Sequence, residues 1–411
     1  ISDIMHNLMY ITENIFKEIF MKKIFSVFFL FLTLMTSLGI YGVSTIRKSS
    51  ADEILSHKCK SEILLDADSG TIINSYNEKE RLPIASMCKI MTLLLCFEAE
   101  QSGNLSFDEE ITVSTEAAGM GGSQVFLEAG ANYKADELIK SITVASANDA
   151  CVAMAERLCG SESAFVEKMN GRAAELGMND TVFVNCTGLP KQGQYSCAKD
   201  VSIMFGELLK HQDYFKYSGI WMDEISHPKN RVTEISNTNK LIRFYNGCDS
   251  GKTGYTSEAG HCLAASAKRD GMRLICVVIS APDSKTRFAQ ASSMFNYGFA
   301  NYTSKLVIDN STPLDISVSI EGGKQDTVSV VAENPLYVFS KKNDKRAFEI
   351  NFKPKEKVKA PIEKGEILGE LSVFENGIEI GKVNVLANEC VAKRTYFDEI
   401  RGIIKNWALI G

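Results

Sequence analysis

The chain has 411 residues, enough for two domains, and its 45% hydrophobic and 23% charged residues are typical of a folded globular protein with a large core. The formal net charge is only -6 and no long basic run occurs, which argues against nucleic acid as a partner. Eleven cysteines lack tight spacing and form no Cys-x-x-Cys pair, so the pattern indicates neither a disulfide scaffold nor a zinc ribbon.

The N-terminal region is typical of an exported protein. Met21-Lys22-Lys23 is a short basic segment, an apolar run over residues 24–40 follows it, and Gly42-Val43-Ser44 offers a small-residue cleavage site. We therefore predict a signal peptide over residues 21–44. A permanent single-span anchor stays open as the alternative, because the apolar run is nearly long enough to cross a bilayer. Residues 1–20 are interpreted as an upstream extension outside the fold.

The first folded segment combines a strand hairpin with a buried helix. Strand-like runs at residues 62–67 and 71–76 flank Asp68-Ser69-Gly70, which is a hairpin signal. After Pro83, residues 86–99 are apolar on nearly every side, and a helix without a polar face is buried all round. We therefore predict that this helix is the central one of the first domain.

Helical patterns dominate the next part of the chain. Two adjoining helices are predicted between residues 136 and 158, with a break near 146–149. Another is predicted over residues 162–177, where Gly177 ends it. Residues 178–250 show no regular period and are predicted to be irregular.

Strands return after residue 250. We predict strands at 251–256, 261–268 and 272–280 and a helix over 283–299. Asp270-Gly271 between alternating apolar runs is a strong hairpin signal, so these strands form an antiparallel meander. Helices between early and late strands indicate an α+β fold in which the terminal strands share one sheet.

From about residue 304 the pattern changes to short strands separated by turns, which is typical of a small all-β module. This module has no catalytic-looking cluster, so we interpret it as a spacer or scaffold. Its strands are predicted at residues 314–320, 327–332, 336–340, 348–352, 371–375 and 378–386.

The last segment has an apolar face at helical spacing. Two interpretations are open: the face packs in the core, or the helix lies in the membrane interface. The residues of this face are Phe397, Ile400, Ile403, Ile404 and Trp407.

A serine and a lysine three residues apart are the first candidates for chemistry. In Ser86-Met87-Cys88-Lys89 the hydroxyl and the amine share one face of the predicted buried helix. A neutral lysine can accept the serine proton, and burial or a neighbouring cation lowers a lysine pKa. Ser196-Cys197-Ala198-Lys199 and Ser226-His227-Pro228-Lys229 have the same spacing. The first lies in a loop-like region and the second contains a proline, so only Ser86 has the helical context.

Two further clusters complete the set. Ser146 offers a second hydroxyl as a proton relay, and Asn148 offers an amide that can hold a substrate peptide. Lys252-Thr253-Gly254 opens the predicted meander, where the lysine can polarise Ser146, the threonine can bind a carboxylate and the glycine leaves room for substrate. Either triplet alone is common in loops, caps and edge strands. In this order with Ser86 they indicate serine acyl transfer without histidine. Arg287 is a candidate second carboxylate anchor.

The three clusters form the set known from class A β-lactamases and penicillin-binding proteins. The chain resembles the low-molecular-mass penicillin-binding proteins of the serine-type D-alanyl-D-alanine carboxypeptidase family, closely over residues 57–303 and more loosely beyond. The stretches that carry the resemblance are 64–70, 81–86, 89–92, 118–123, 144–150, 175–178 and 252–260.

The resemblance implies a fold and a domain plan. The expected fold is the α+β fold of serine β-lactamases and penicillin-binding proteins, an antiparallel sheet flanked by helices, followed by a small all-β domain. The expected segments are an extension (1–20), a signal peptide or anchor (21–44), the catalytic domain (57–303), a β-rich domain (304–392) and an amphipathic membrane-associating helix (393–411).

The resemblance also implies a substrate and a mechanism. The substrate is a peptidoglycan stem peptide ending in D-Ala-D-Ala, whose penultimate carbonyl Ser86 attacks while Lys89 takes the serine proton. The backbone N–H groups of Ser86 and Tyr255 form the oxyanion hole. Ser146, with Lys252, passes a proton to the departing D-Ala, and water then releases the acyl-enzyme.

The remaining site residues are expected to bind the substrate. Asn148 holds the peptide, Thr253 and Arg287 bind the terminal carboxylate, and Gly254 leaves space beside the nucleophile. β-Lactams acylate Ser86 as substrate mimics, and no cofactor or metal is implied. The expected location is the outer face of the cytoplasmic membrane and the cell wall, with the C-terminal helix on the membrane surface and no nucleic acid as a partner.

Two departures from the family pattern stand out. Met87-Cys88 replaces the small or hydroxyl residues expected between Ser86 and Lys89, which places a thiol near the nucleophile. Gln194 stands in Gly193-Gln194-Tyr195-Ser196, where many relatives have a histidine, and this argues against a histidine that assists deacylation.

Other classes of protein fit less well. Only five histidines occur and none lies near a Gly-x-Ser-x-Gly elbow, which disfavours a Ser-His-Asp hydrolase, and there is no His-Glu-x-x-His zinc motif. A serine β-lactamase shares the three clusters, but the extra β domain and the terminal amphipathic segment argue against it. A non-catalytic wall-binding or β-lactam-sensing module is the other alternative, and the presence of both Lys89 and Lys252 argues against it.

Overall fold

The computed structural model of the chain describes residues 56–343, 348–398 and 400. The predicted extension (1–20) and signal peptide (21–44) lie outside the described residues, as does most of the segment predicted as an amphipathic helix. Within the described part, no helix is both long and apolar enough to span a bilayer.

Most helices lie between the first two strands and the later strands of the chain, and the last seven elements of the described part are all strands. The strands are β1 (Ser61–Asp66), β2 (Ile72–Tyr76), β3 (Glu110–Thr112), β4 (Asn132–Lys134), β5 (Met222–Ser226), β6 (Val232–Ser236), β7 (Cys248–Thr256), β8 (Gly260–Arg269), β9 (Met272–Ala281), β10 (Tyr302–Ile308), β11 (Ser317–Ser319), β12 (Thr327–Ala332), β13 (Leu336–Lys341), β14 (Glu349–Pro354), β15 (Ile367–Glu375) and β16 (Ile378–Ala387). The α-helices are α1 (Lys89–Gln101), α2 (Thr115–Ala118), α3 (Ala135–Val144), α4 (Asn148–Cys159), α5 (Glu162–Glu175), α6 (Ala198–Leu208), α7 (Phe215–Ser218), α8 (Leu241–Phe244) and α9 (Ser284–Asn301).

The central sheet joins the two ends of the catalytic region. Its five antiparallel strands run in the order β2-β1-β9-β8-β7, which confirms that the early and late strands share one sheet. The turn between β8 and β9 has positive φ at both Asp270 (49°) and Gly271 (81°), as a tight hairpin turn requires. β7 lies at the edge of this sheet and carries the Lys252-Thr253-Gly254 cluster.

Both faces of the central sheet are buried. Successive residues of a strand point to opposite faces of the sheet. In β9, Ile275 and Val277 join the core beneath the helical layer, whereas Cys276 and Val278 join the core that packs on α9. This explains why β9 is continuously apolar rather than alternating.

The buried helix predicted over 86–99 is confirmed with one difference at its start. Residues Ala85–Cys88 form a 3-10 turn, and the α-helix proper is α1. From Ile90 to Phe97 the side chains of α1 are at most 1% exposed. The serine and the lysine of the first cluster therefore sit at the point where the turn becomes the helix.

The prediction that residues 178–250 are irregular is wrong. They contain α6, α7, α8 and the β5–β6 hairpin, and Lys199, taken as loop-like, lies in the first turn of α6. The two strands of the hairpin bury only Ile225 and Ile235, so no apolar period reveals them in the sequence.

The C-terminal β structure begins two residues before the predicted boundary, at β10. β10 follows α9 directly and pairs with β13, while the other strands form a sheet in the order β11-β12-β16-β15-β14. These strands enclose a separate apolar core that includes Val328, Val373 and Val385. The six strands predicted for this module are all present, and β10 is an additional one.

The cysteines behave as small apolar residues, as the sequence indicates. All eleven are free thiols; Cys88, Cys96, Cys151 and Cys276 are fully buried. Cys390, in the β module, is the one that is exposed.

Candidate active site

The first cluster forms a serine–lysine pair in a buried pocket. The amine of Lys89 lies 3.1 Å from Ser86 Oγ and donates a second hydrogen bond of 2.5 Å to the carbonyl oxygen of Thr187. Lys89 is fully buried, and this burial lowers its pKa. A neutral amine at this distance can take the proton of the serine hydroxyl.

Two glycines let backbone segments close on the turn that carries Ser86. A Cβ added at Gly254 of β7 would lie 2.6 Å from the carbonyl oxygen of Ile84 and 3.1 Å from the nitrogen of Ser86. From the other side, a Cβ on Gly188 would lie 2.0 Å from the carbonyl oxygen of Ala85. The nucleophile turn is therefore held directly between the edge strand and the loop that contains Gly188.

Gly188→Ala is expected to destabilise the protein by more than about 3 kcal/mol, because the new Cβ overlaps a backbone oxygen and φ is +80° at this position. Thermal or urea unfolding measures the change. Gly171→Ala is the matched control: Gly171 lies in α5 with open space around it, so this change is expected to stabilise by about 0.5–1 kcal/mol. Equal stability of the two variants would contradict the assignment of the close contact.

The second cluster lies in the break between α3 and α4. Ser146 has φ +63° and is 3% exposed, and its buried Oγ has no hydrogen-bond partner among the described residues. Asn148 begins α4, and its side-chain nitrogen donates to the carbonyl oxygen of Gly121 at 2.6 Å. The backbone N–H of Asn148 donates to the carbonyl oxygen of Ser123 at 2.7 Å, and its buried Oδ1 is unpartnered. Buried oxygens without a hydrogen-bond partner are rare in folded proteins, and the second cluster has two of them.

The third cluster contributes a second buried lysine. Lys252 is 1% exposed, and burial together with the charges of Lys89 and Arg287 lowers its pKa well below the ordinary value. Its amine donates to the carbonyl oxygen of Thr253 at 3.3 Å. No hydrogen bond links Lys252 to Ser146 in this structure, so the expected relay is not formed here.

Arg287 holds the backbone of the edge strand. It lies in α9 and donates to the carbonyl oxygens of Gly254 (3.3 Å) and Cys262 (3.1 Å) and to Ser284 Oγ (3.2 Å). Its buried Nε has no partner among the described residues, and burial lowers its pKa to about 10. Arg287 thus fixes the backbone of β7 at Gly254, a contact that the sequence does not predict.

The other residues of the edge strand lie at the mouth of the site. Thr253 is 7% exposed, whereas Tyr255 is 61% exposed and its ring lies 4.4 Å from that of His261. Thr253 and Tyr255 are two residues apart in β7 and therefore lie on the same face of the strand, with Tyr255 nearer to the exposed end of the strand.

The structure separates Ser86 from the other candidate nucleophiles. Ser196 is fully buried and its hydroxyl shares a 2.8 Å hydrogen bond with Thr181, while Ser226 lies in the β5–β6 hairpin. The thiol of Cys88 donates to the carbonyl oxygen of Asn185 at 3.2 Å, and burial raises its pKa. Cys88 is therefore not a second nucleophile beside Ser86.

Several residues that build the site act through their backbone, which the sequence cannot reveal. The carbonyl oxygens of Thr187, Gly121 and Ser123 accept hydrogen bonds from Lys89 and Asn148. Gly188-Leu189-Pro190 shows in the sequence only as a loop signal. In the described part of the chain, no group of three or more His, Cys, Asp or Glu side chains is arranged to hold a metal ion.

Comparison with known proteins covers both halves of the described structure. A family model for D-alanyl-D-alanine carboxypeptidase matches residues 46–283, and a model for the C-terminal domain of penicillin-binding protein 5 matches residues 302–393. The D-alanyl-D-alanine carboxypeptidase DacF of Bacillus subtilis is 38% identical over 391 residues, which are 94% of this chain and 99% of that protein. DacC of Escherichia coli, a D-alanyl-D-alanine carboxypeptidase, is 29% identical over 90% of this chain and 92% of its own length.

A solved structure agrees with these matches. Penicillin-binding protein 5 from Haemophilus influenzae superposes with a TM-score of 0.68 at 25% identity, and the match covers 84% of this chain and 100% of that one. The expected fold, a penicillin-binding-protein domain followed by a β domain, is confirmed. The chain belongs to the D-alanyl-D-alanine carboxypeptidase family of penicillin-binding proteins.

Proposed function

We propose that this D-alanyl-D-alanine carboxypeptidase removes the terminal D-Ala of peptidoglycan stem peptides through an acyl-enzyme on Ser86. The observation that carries the proposal is the 3.1 Å contact between Ser86 Oγ and the fully buried amine of Lys89. Ser86 attacks the penultimate D-Ala carbonyl, and Lys89 takes the hydroxyl proton. The backbone N–H groups of Ser86 and Tyr255 stabilise the oxyanion that forms.

The second step needs a proton for the leaving group. Ser146, with Lys252, passes a proton to the amine of the departing D-Ala, and water then hydrolyses the ester on Ser86. The unpartnered hydroxyl of Ser146 supports this role, because no protein group competes for its hydrogen bonds. The depressed pKa of Lys252 supports an amine that exchanges a proton rather than one that stays charged.

The positive charge in the site has a separate role. Lys89 and Lys252 are held towards the neutral form by burial, whereas Arg287 stays a cation at neutral pH because its pKa is still about 10. We assign the terminal carboxylate of the substrate to Thr253 and Arg287, and the peptide amide to Asn148. Gly254 was expected to leave space for the peptide, but the structure supports a different role: it lets β7 approach the backbone of the turn that carries Ser86.

The rate of acylation by penicillin is expected to rise with pH as Lys89 loses its proton. Because burial lowers the pKa of Lys89, the amine becomes neutral at a lower pH than an ordinary lysine, whose pKa is about 10.4. Stopped-flow acylation measured across the pH range gives the midpoint of this rise. A midpoint at or above the ordinary lysine value would argue against Lys89 as the base.

The decisive test of the activity uses the purified protein. It is expected to release D-Ala from a peptide ending in D-Ala-D-Ala and to be labelled covalently by fluorescent penicillin. Slow loss of the label distinguishes it from a β-lactamase, which hydrolyses penicillin quickly. Labelling without any D-Ala release would favour a β-lactam-sensing protein instead.

We further propose where the protein acts. Cleavage of the signal peptide at residues 21–44 would leave the catalytic domain (57–303) and the β-rich domain (304–392) outside the cytoplasmic membrane. Residues 393–411 would then lie on the membrane surface as an amphipathic helix. Fractionation of cells that express the full chain, compared with a chain ending at residue 392, tests this membrane association.

A further inference from the structure

The loop that receives Lys89 has no regular secondary structure, although its backbone groups are fixed. We call residues 184–188 the lysine cradle. On the side facing α1, three of its consecutive carbonyl oxygens accept hydrogen bonds from side chains at the start of that helix. These are Cys88 to Asn185 (3.2 Å), Thr92 to Cys186 (3.0 Å) and Lys89 to Thr187 (2.5 Å).

The N–H groups of the lysine cradle are held by side-chain oxygens as well. Gln194 Oε1 accepts from the N–H groups of both Val184 (3.0 Å) and Asn185 (3.1 Å). The N–H of Cys186 donates to Glu162 at 3.0 Å, and that of Gly188 to the side-chain oxygen of Asn185 at 2.7 Å. Among these three acceptor side chains, Gln194 alone accepts from two successive backbone N–H groups with a single oxygen.

Gln194 also holds the side chain that closes the lysine cradle. Its Nε2 lies 3.3 Å from Asn185 Oδ1, the same oxygen that accepts from the N–H of Gly188. Gln194 is half-buried and makes no hydrogen bond to Ser86 or Lys89. Its effect on the chemistry therefore has to pass through the lysine cradle and the Thr187 carbonyl.

We propose that Gln194 is a positioning residue for Lys89, which it holds against Ser86 through the lysine cradle. Without its two acceptor bonds, the N–H groups of Val184 and Asn185 lose their partners, and the loop shifts to satisfy them. The Thr187 carbonyl moves with the loop and the Lys89 amine follows it. A displacement of about 1 Å in a reacting group can lower a rate by about 10^2-fold.

The test compares three variants of the full chain. Gln194→Met keeps the length of the side chain and removes the acceptor, so penicillin acylation and kcat for the D-Ala-D-Ala peptide are expected to fall about 10- to 100-fold. KM is expected to change less than about twofold, because Gln194 contacts no substrate. Gln194→Glu keeps an oxygen for both N–H groups but loses the Nε2 donor to Asn185 Oδ1, so its rate is expected to lie between those of wild type and Gln194→Met.

Asn170→Leu is the matched control. The Asn170 side chain clamps Phe183, the residue just before the lysine cradle, with bonds to its N–H (2.9 Å) and its carbonyl (2.8 Å). Losing these two hydrogen bonds is expected to lower the melting temperature, as losing the two bonds of Gln194 would. The hydrogen bond between Lys89 and the Thr187 carbonyl stays in place. We expect acylation by Asn170→Leu to stay within about twofold of wild type once the folded fraction is taken into account.

Two outcomes would overturn the proposal. One is Gln194→Met acylating at the wild-type rate; the other is Gln194→Met and Asn170→Leu losing rate in the same proportion to their lost stability. The proposal rests on Ser86 and Lys89 having the roles proposed above. The two can fail separately, because labelling of a Ser86→Ala variant would reject those roles, whereas a wild-type rate in Gln194→Met would leave them intact.

Discussion

Ser86→Ala is expected to abolish both covalent labelling by fluorescent penicillin and release of D-Ala, with a loss of about 10^4-fold or more. The acyl-enzyme cannot form without the hydroxyl, because Ser86 Oγ is the side-chain nucleophile that is hydrogen-bonded to the Lys89 amine, and the neighbouring thiol of Cys88 is bonded to the Asn185 carbonyl. Gel fluorescence after penicillin treatment and chromatography of released D-Ala measure the two activities. The variant is expected to fold, because among residues 56–343, 348–398 and 400 the Ser86 hydroxyl is hydrogen-bonded to the Lys89 amine alone.

Ser196→Ala provides the control for this experiment. It removes the serine of the second Ser-x-x-Lys match, which is buried and hydrogen-bonded to the hydroxyl of Thr181. Its labelling is expected to equal that of wild type, with some loss of stability from the broken hydrogen bond. Labelling that persists in Ser86→Ala and disappears in Ser196→Ala would reverse the assignment.

Lys89→Met is expected to lower penicillin acylation about 10^2- to 10^4-fold, the range in which a general base contributes. Methionine has nearly the length of lysine and fills the same buried space, so the loss isolates the amine. Removing a buried amine relieves its desolvation but leaves the Thr187 carbonyl without this hydrogen bond, so the melting temperature is expected to change little. Acylation kinetics and thermal unfolding of the same sample separate the two effects.

Lys199→Met is the matched control for Lys89→Met. Lys199 is the lysine of the second Ser-x-x-Lys match and lies on α6, where it is only partly buried. We expect wild-type acylation from this variant. If both lysine variants lost activity equally, the loss would reflect general damage and not the removal of a base.

The parts of the fold that local signals specify were predictable from the sequence. The Asp270-Gly271 turn requires positive φ at both residues, as a tight hairpin turn does. Together with the apolar strands on either side, this turn predicts an antiparallel pair, which the structure contains. α1 was recognisable because it has no polar face. The spacing of Ser86 and Lys89 holds even though Ser86 lies in a 3-10 turn, because residues three apart stay neighbours in either helix.

What the sequence did not reveal depends on backbone groups and on long-range contacts. The carbonyl of Thr187 reaches Lys89 across 98 positions of sequence, and a carbonyl is present at every residue, so no residue type marks it. Arg287 was recognisable as a cation but not as the residue that holds the Gly254 carbonyl. The β5–β6 hairpin was missed because it buries one residue per strand.

The distribution of the cysteines has a practical consequence for labelling chemistry. Of the eleven thiols, only Cys390 is exposed, and it lies in the β module rather than beside Ser86. A maleimide dye is therefore expected to attach fastest at Cys390, ahead of the partly buried Cys159, and to leave the serine free. A second dye on penicillin would then mark Ser86, and energy transfer between the two would report the separation of nucleophile and β module in the intact protein without any engineered cysteine.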